Sequence, residues 1–197
     1  MNQTWKPYFP NATIEVLPNA GLKSEHSRGL ELGAKGEWTG LSLAATAFYN
    51  RYSDFLEQTL LSSRDTNGNG VPLEYQVRNV GRVNIHGLEL KGQWQFAPHW
   101  QLGGALAWAR GDNKSTGQPQ DTVDPLKLVL TLGYRGEQWG VNSDLTAVAR
   151  KRRVSDATYF RPGGYQRLDL SAYWQLNKAT RLTVGVNNVF DRRYWQW

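Results

Sequence analysis

Ile85-His86-Gly87-Leu88-Glu89-Leu90-Lys91-Gly92-Gln93-Trp94-Gln95-Phe96 changes chemistry from one residue to the next. Leu88, Leu90, Trp94 and Phe96 fall on one parity, and Glu89, Lys91, Gln93 and Gln95 on the other. This is the two-residue period of an extended strand with one apolar and one polar face. Leu30, Leu32, Ala34 and Trp38 oppose Glu31, Lys35 and Glu37 in the same way. Leu126, Leu128, Leu130, Leu132 and Tyr134 share one parity, and Leu168, Leu170, Ala172 and Trp174 oppose Arg167, Asp169, Ser171 and Tyr173. The alternation predicts strands near residues 27–38, 41–56, 75–96, 99–111, 124–135, 138–152, 165–176 and 180–187.

The connections decide what kind of β protein these strands build. Links at Thr39-Gly40, Ala97-Pro98, Gly136-Glu137 and Asn177-Lys178 are very short, whereas residues 57–74, 112–123 and 153–164 are rich in Asp, Asn, Gly, Ser and Arg and read as solvated loops. Short turns at one end and long loops at the other are the plan of a bacterial transmembrane barrel, with periplasmic turns and extracellular loops. A soluble sandwich has no reason to segregate loop lengths.

Composition agrees. A mean hydropathy of −0.59 and the lack of a long apolar run exclude a membrane-spanning helix, but a barrel stays hydrophilic because only alternate residues face lipid. Trp38, Trp94, Phe96, Trp100, Trp139 and Trp174 fall at or near the short-turn ends and fit an interfacial girdle. The net charge of +6 is spread over strands and loops, which argues against nucleic acid. Its one run, Arg150-Lys151-Arg152-Arg153, sits where a strand leaves the membrane on the extracellular side and reads as a solvated or lipopolysaccharide-facing edge. The absence of cysteine permits an oxidising compartment without demanding one.

The chain opens at Met1-Asn2-Gln3-Thr4-Trp5-Lys6 without an apolar targeting core, and its last predicted strand leaves an open sheet edge that hydrocarbon does not tolerate. Closure as an eight-stranded barrel is geometrically open, but a piece of a larger barrel is the preferred expectation.

Three segments carry a family resemblance. Val16-Leu17-Pro18-Asn19-Ala20-Gly21-Leu22-Lys23-Ser24-Glu25 resembles the Asn-Pro-x-Leu-Lys-Pro-Glu box of TonB-dependent outer-membrane receptors. Asn19, Leu22, Lys23 and Glu25 keep its spacing, and Ala20 and Ser24 stand where the family has prolines. Asn79-Val80-Gly81-Arg82-Val83-Asn84-Ile85-His86-Gly87-Leu88-Glu89-Leu90 resembles the Gly-Val-Glu strand start, through Gly87 and Glu89. Gly185-Val186-Asn187-Asn188-Val189-Phe190-Asp191-Arg192-Arg193-Tyr194 resembles the Asn-Leu-Phe-Asp-x-x-Tyr segment, through Asn188, Phe190, Asp191 and Tyr194. The resemblance implies an all-β fold: an antiparallel transmembrane β-barrel segment of about eight strands from a larger barrel of about 22. Residues 1–197 would then form one partial barrel domain, with the plug and the last strand lying outside it.

The same resemblance implies a receptor in the outer membrane of a Gram-negative bacterium, bounded by lipid and lipopolysaccharide and energised by the TonB complex through an N-terminal part. Tyr194-Trp195-Gln196-Trp197, Thr122-Val123-Asp124-Pro125-Leu126 and residues 162–170 look more like the heme and hemoglobin branch than the ferric-siderophore branch. Heme is thus the expected cargo, with no permanently bound cofactor, and heme or hemoglobin the expected partner.

Heme iron takes His or Tyr as axial ligand. Residues 1–18, where the family's ligand histidine is expected, contain Tyr8 and no histidine. His26 lies just past the first box near the rim, His86 shares parity with Leu88 and Leu90 and points outward, and His99 lies at a short turn. Arg64, Arg153, Tyr159 and Arg161 in the loops are candidates for propionates or a protein partner, because guanidinium groups grip carboxylates bidentately. Asp65-Thr66-Asn67-Gly68-Asn69-Gly70 invites a calcium reading, but Gln76 stands where a terminal glutamate is required, so it is expected to be a flexible turn with no metal. No Ser elbow or Cys nucleophile is present, and no catalytic residues are assigned. A self-contained small barrel with a structural or adhesive role and a barrel enzyme are the competing classes.

Overall fold

The computed structural model describes residues 3–5, 14–71 and 73–197. Their regular elements are all strands: β1 (Gln3–Trp5), β2 (Ile14–Leu17), β3 (His26–Trp38), β4 (Leu41–Ser53), β5 (Leu56–Ser62), β6 (Leu73–Asn79), β7 (Val83–Ala97), β8 (Trp100–Asn113), β9 (Lys127–Arg135), β10 (Trp139–Val148), β11 (Tyr165–Gln175) and β12 (Arg181–Val186). Among the described residues no helix is long and apolar enough to cross a membrane. The strands form an eight-stranded sheet in the order β12-β11-β10-β9-β8-β7-β4-β3 and a four-stranded sheet in the order β1-β2-β6-β5. The chain divides into two compact units, one of Met1–Arg28, Asn50–Asn84 and Asn113–Gly117, the other of Gly29–Tyr49, Ile85–Asp112 and Gln118–Trp197.

In the second unit the register between strands sorts side chains onto two faces, because directly opposed residues of an antiparallel pair lie on the same side. Leu102 pairs with Leu132, Leu106 with Leu128, Leu130 with Leu145, Ala172 with Val184 and Leu170 with Val186. These residues make one apolar face over five strands. On the other face Thr131 pairs with Asp144, Asp144 with Asp169, and Ser171 with Gly185. Among the described residues the large apolar side chains of this face stay exposed. Leu32 is 77% exposed and Val184 and Val186 are 60% exposed, whereas burying such a side chain is worth about 1.5–3 kcal/mol. The buried core aliphatics among the described residues are Val71 and Val83. A sheet with so little interior and so large an apolar exterior needs a nonaqueous solvent on that side. Strands of 15 residues in β7, 14 in β8 and 11 in β11 meet the roughly 9–11 residues that a tilted strand needs to cross a bilayer.

A row of rings runs along the short-turn end, exposed at Phe96, Trp100, Trp139 and Trp174 and half-buried at Tyr134. Phe96 lies 6.3 Å from Trp100, Trp100 5.1 Å from Tyr134, and Tyr134 4.5 Å from Trp139, measured between ring centroids. Trp139 is register partner to Trp174. Higher on the same parity, His86 stands between Tyr49 (6.3 Å, stacked) and Trp108 (5.8 Å, edge-on). Ten residues separate His86 from Phe96 along β7, which at about 3.3 Å per residue and a tilt near 40° gives a band roughly 25 Å tall. The turn at Thr39-Gly40 is possible because Gly40 adopts φ +74°, a left-handed conformation that glycine enters without strain.

The structure corrects several boundaries. Residues 57–74 are not one loop, since 57–62 belong to β5, which pairs antiparallel with β6 beginning at Leu73. The strand expected over 75–96 is two, β6 and β7, broken at Gly81 with φ +92°. Strand β8 reaches Asn113, β9 starts only at Lys127, and β10 stops at Val148.

In the first unit β2 runs parallel to β6, with Glu15 opposite Glu74, each 1% exposed. The loop above them, residues 65–70, where the sequence leads one to expect a flexible turn, is knit by its own hydrogen bonds. One Asp65 carboxylate oxygen accepts the N–H groups of Gly68 (2.6 Å) and Asn69 (3.2 Å), and the other accepts that of Gly70 (2.6 Å). Asn67 and Asn69 donate to Glu15 at 2.8 and 2.6 Å, and the Thr66 N–H donates to Glu74 at 2.6 Å. These carboxylates are occupied by the loop's own donors. Among the described residues no group of three or more His, Cys, Asp or Glu is placed to hold a metal ion.

Candidate functional site

The polar face of the second unit is the surface on which chemistry is concentrated. The Asp144 carboxylate accepts the Thr131 hydroxyl and the Asn142 amide, both at 2.6 Å. Asp169 faces it across the ladder, a like-charge pairing that would be unfavourable without its own cation. Arg167 supplies one through two contacts of 3.0 and 2.9 Å, and the Asn188 N–H donates to the same carboxyl group at 2.8 Å. Arg167 also donates to the Tyr194 hydroxyl at 3.2 Å, and the Tyr194 ring stacks on Tyr165 with centroids 4.1 Å apart. The Arg181 guanidinium lies 3.7 Å above the Tyr173 ring, within cation–π range.

At the long-loop end of this face is a cavity of about 470 Å³ whose lining includes Phe48, Glu89, Asp124, Lys127, Tyr165 and Trp197. Aromatic walls with separated acid and base groups suit a flat ligand carrying charged substituents.

One wall of the cavity is held by Lys151. Its ammonium, 4% exposed by residue, donates to the carbonyls of Asp121 (3.0 Å) and Val123 (2.5 Å) and lies 4.1 Å from the Trp197 ring centroid. Burial pushes the Lys151 pKa below the ordinary lysine value, opposed by the charges of Asp121 and Asp124. The Asp121 carboxylate accepts the Ser155 N–H at 2.7 Å and the Ser155 hydroxyl, and the Asp121 carbonyl accepts the Trp197 indole N–H at 2.5 Å. Arg153 binds Asp112 at 2.5 Å. The segment 120–125, the stretch 149–155 and Trp197 are thereby tied into one assembly.

The sequence candidates are dispersed. Tyr8 lies outside the described residues. His26 and Arg64 belong to the first unit and both are exposed. In the second unit Tyr159 and Arg161 are exposed and Arg153 is committed to Asp112. His86 sits in the outer aromatic row, and the His99 Nδ1 lies 2.9 Å from the Arg135 carbonyl oxygen at a short turn. The family-motif residues have structural work instead. Asn19 donates to the Val77 carbonyl at 3.0 Å, Glu25 accepts the Leu56 N–H at 2.8 Å, and Lys23 exchanges backbone bonds with the Asn79 side chain at 2.9 and 3.0 Å. Leu22 is exposed. Asn188 and Asp191 take positive φ of 53° and 45°, which Asn and Asp tolerate better than other residues, and Phe190 is exposed. Gly87 is required where it stands, because a Cβ there would lie 2.4 Å from the Trp108 carbonyl oxygen and 2.5 Å from the Phe48 ring.

Lys151, Asp121 and Ser155 escaped sequence reasoning. The one available signal is Lys151 within its basic run, which reads as a solvated or lipopolysaccharide-facing edge. Glu15 and Glu74 carried no signal, because their pairing depends on a parallel contact between distant segments.

Residues 2–189 match the family model described as TonB dependent receptor-like, beta-barrel. The chain is 26% identical over 231 residues to the hemoglobin-haptoglobin utilization protein B of Neisseria meningitidis serogroup C, a match covering 100% of this chain and 28% of that protein. Among solved structures, the copper transporter OprC superposes with a TM-score of 0.81 at 23% identity, over 90% of this chain and 28% of that one. A mutant of the ferric enterobactin receptor from Pseudomonas aeruginosa gives 0.69 at 25% identity, over 92% and 28%. The chain thus spans about 28% of the length of these relatives. With a two-faced antiparallel sheet, short turns at one end and a family match over nearly its whole length, this chain belongs to the TonB-dependent receptor β-barrel family.

Proposed function

We propose that the chain is part of the wall of an outer-membrane receptor that takes up heme or hemoglobin-derived iron, energised through TonB, in a Gram-negative bacterium. The observation that carries this reading is the division of one sheet into an exposed apolar face and a polar face lined by Asp144, Asp169, Arg167 and Arg181. That division is the wall of a polar-lined barrel in lipid. The protein acts by binding and passage, not by catalysis. Its short turns face the periplasm and its long loops the exterior, so the cavity beside Tyr165 and Trp197 opens toward arriving cargo.

Heme is favoured by the similarity to hemoglobin-haptoglobin utilization protein B and by the aromatic walls of the cavity, which offer stacking surfaces to a porphyrin. Heme is transported ligand here and not a resident cofactor. His26, Arg64, Tyr159 and Arg161 remain candidates for loop contacts with heme or its carrier protein. The second reading, a ferric-siderophore cargo, is favoured by the likeness to the ferric enterobactin receptor.

The test is growth of an iron-starved strain lacking the gene, on heme, hemoglobin or ferric siderophores as sole iron source. Loss of growth on heme, restored by the gene only when TonB is functional, is the expected result. Intact growth on heme with loss on a ferric siderophore would replace heme by the second reading.

A further inference from the structure

At the short-turn end of the polar face lies a recess of about 600 Å³, which shares no lining residue with the cavity beside Tyr165 and Trp197. Two glycines open it. Gly133 is register partner to Gln101 and Asn142, and Gly140 to Arg135 and Tyr173. The Tyr173 ring fills the place a Cβ on Gly140 would need, 2.4 Å away. Its hydroxyl donates to the Gly136 carbonyl at 3.3 Å, and the Arg181 guanidinium rests 3.7 Å above the ring. Arg181 is thereby held at the recess, and Arg135 lines it as a second guanidinium. No carboxylate lines the recess, and neither arginine is in an ion pair among the described residues.

His99 belongs to the same lining, with its Nδ1 2.9 Å from the Arg135 carbonyl oxygen. A carbonyl oxygen only accepts, so Nδ1 carries the hydrogen, and in the neutral ring Nε2 keeps its lone pair. An imidazole oriented through its Nδ1–H by a backbone carbonyl is the form in which histidine ligates a metal through Nε2. Among the described residues no three His, Cys, Asp or Glu side chains converge to hold a bare ion. One imidazole suits instead a metal that arrives with its own equatorial ligands, as heme iron does. Two unpaired guanidiniums suit carboxylates on the same ligand.

We propose that this recess is a second, inner binding site for heme, with His99 as axial ligand to the iron and Arg135 and Arg181 as partners of the two propionates. The inference rests on the reading of heme as cargo, and it adds a halting place between the outer cavity and the short-turn end. A ferric siderophore, whose iron is already fully coordinated, offers the imidazole no open axial position.

The test uses the full-length protein purified in detergent and titrated with hemin and with hemin dimethyl ester, with binding read by absorbance and by electron paramagnetic resonance of the ferric iron. The wild type is expected to take up hemin in two phases. His99→Asn keeps a side-chain N–H for the Arg135 carbonyl but has no ligating nitrogen, so it should lose the histidine-bound spectrum of the second phase as fully as His99→Ala does. The Arg135→Gln/Arg181→Gln variant should bind in that phase about tenfold or more weakly, as charge-assisted bonds are lost, and should treat hemin and its ester alike. Lys178→Gln, at a short turn, should leave both phases unchanged. A histidine-bound second phase that persists in His99→Ala or returns in His99→Asn, an equal loss in Lys178→Gln, or an ester bound by the wild type as tightly as hemin would each overturn the proposal. The two failures are separable. A wild type that binds no hemin in either phase sinks the heme reading itself, whereas a single hemin phase indifferent to the His99 and arginine substitutions sinks only the inner site.

Discussion

The Lys151 ammonium lies 4.1 Å from the centroid of the Trp197 ring and donates at once to two carbonyls of the 120–125 segment. A residue from a basic run thus acts as an internal clamp, and its neighbours Arg150 and Arg152 stay in solvent. Lys151→Met removes both donors while filling much of the same space. Two carbonyls then lose their charged partner, at a cost of about 1–3 kcal/mol. Hydrogen exchange at Gln120 and Val123 should accelerate, with the strand amides of β9 and β10 unchanged. Unaltered exchange at both sites would contradict the clamp.

Gly87 is set by close approach. The Trp108 carbonyl oxygen blocks its Cβ position at 2.4 Å, and the Phe48 ring at 2.5 Å. Gly87→Ala should impair assembly, read as loss of the heat-modifiable band. Adding Phe48→Ala should not restore it, because the backbone obstacle remains. Full rescue by Phe48→Ala would show that ring crowding alone dictates the glycine.

Backbone N–H groups of Gly70, Gly68 and Asn69 hold the Asp65 carboxyl below its ordinary value of 3.8. A depressed carboxyl stabilises the loop above the unfolded value, and that contribution is lost as pH falls through the folded value. Amide protection at Gly68 and Gly70 is therefore expected to hold down to pH 3.8 and to decline below it. Asp65→Ala should lack the protection at every pH. A wild-type loop that loses protection well above that pH would contradict the assignment.

The strand set was legible in the sequence where one face meets lipid and the other water, as in β3, β7, β9 and β11, because burial on one side enforces a strict period of two. Leu56-Glu57-Gln58-Thr59-Leu60 alternates too, but the Asp, Asn and Gly that follow dominated the reading and hid the β5–β6 hairpin. The parallel β2–β6 pair was not legible, since pairing between segments far apart in the chain leaves no local pattern. The girdle rings Trp100, Trp139 and Trp174 were legible by their position at short turns. The clamp of Lys151, Asp121 and Trp197 was not, because it is made by loops whose contacts no periodicity encodes.

Neighbouring residues of β9 should respond oppositely to charge. Leu130→Arg places a guanidinium on the lipid side, at a cost of about 2–4 kcal/mol near the bilayer midplane. Thr131→Arg places it beside Asp144, on the polar face. Denaturant unfolding in liposomes should show a large loss for Leu130→Arg and little change for Thr131→Arg. Similar losses for both would remove the distinction between the faces.

The sidedness of the sheet is tested most directly with spin labels on single cysteines, introduced into a stretch that has no cysteine of its own, with any cysteine elsewhere in the full-length protein first replaced by serine. Labels replacing Leu132, Leu170 and Val184 report the apolar face, and labels replacing Thr131, Ser171 and Thr183 the polar face, in the full-length protein reconstituted in lipid. The first set should be relaxed by dissolved oxygen and shielded from a water-soluble nickel chelate, with oxygen far less effective on the second set. Equal access of the chelate to both sets, or a reversed pattern, would contradict a membrane barrel wall.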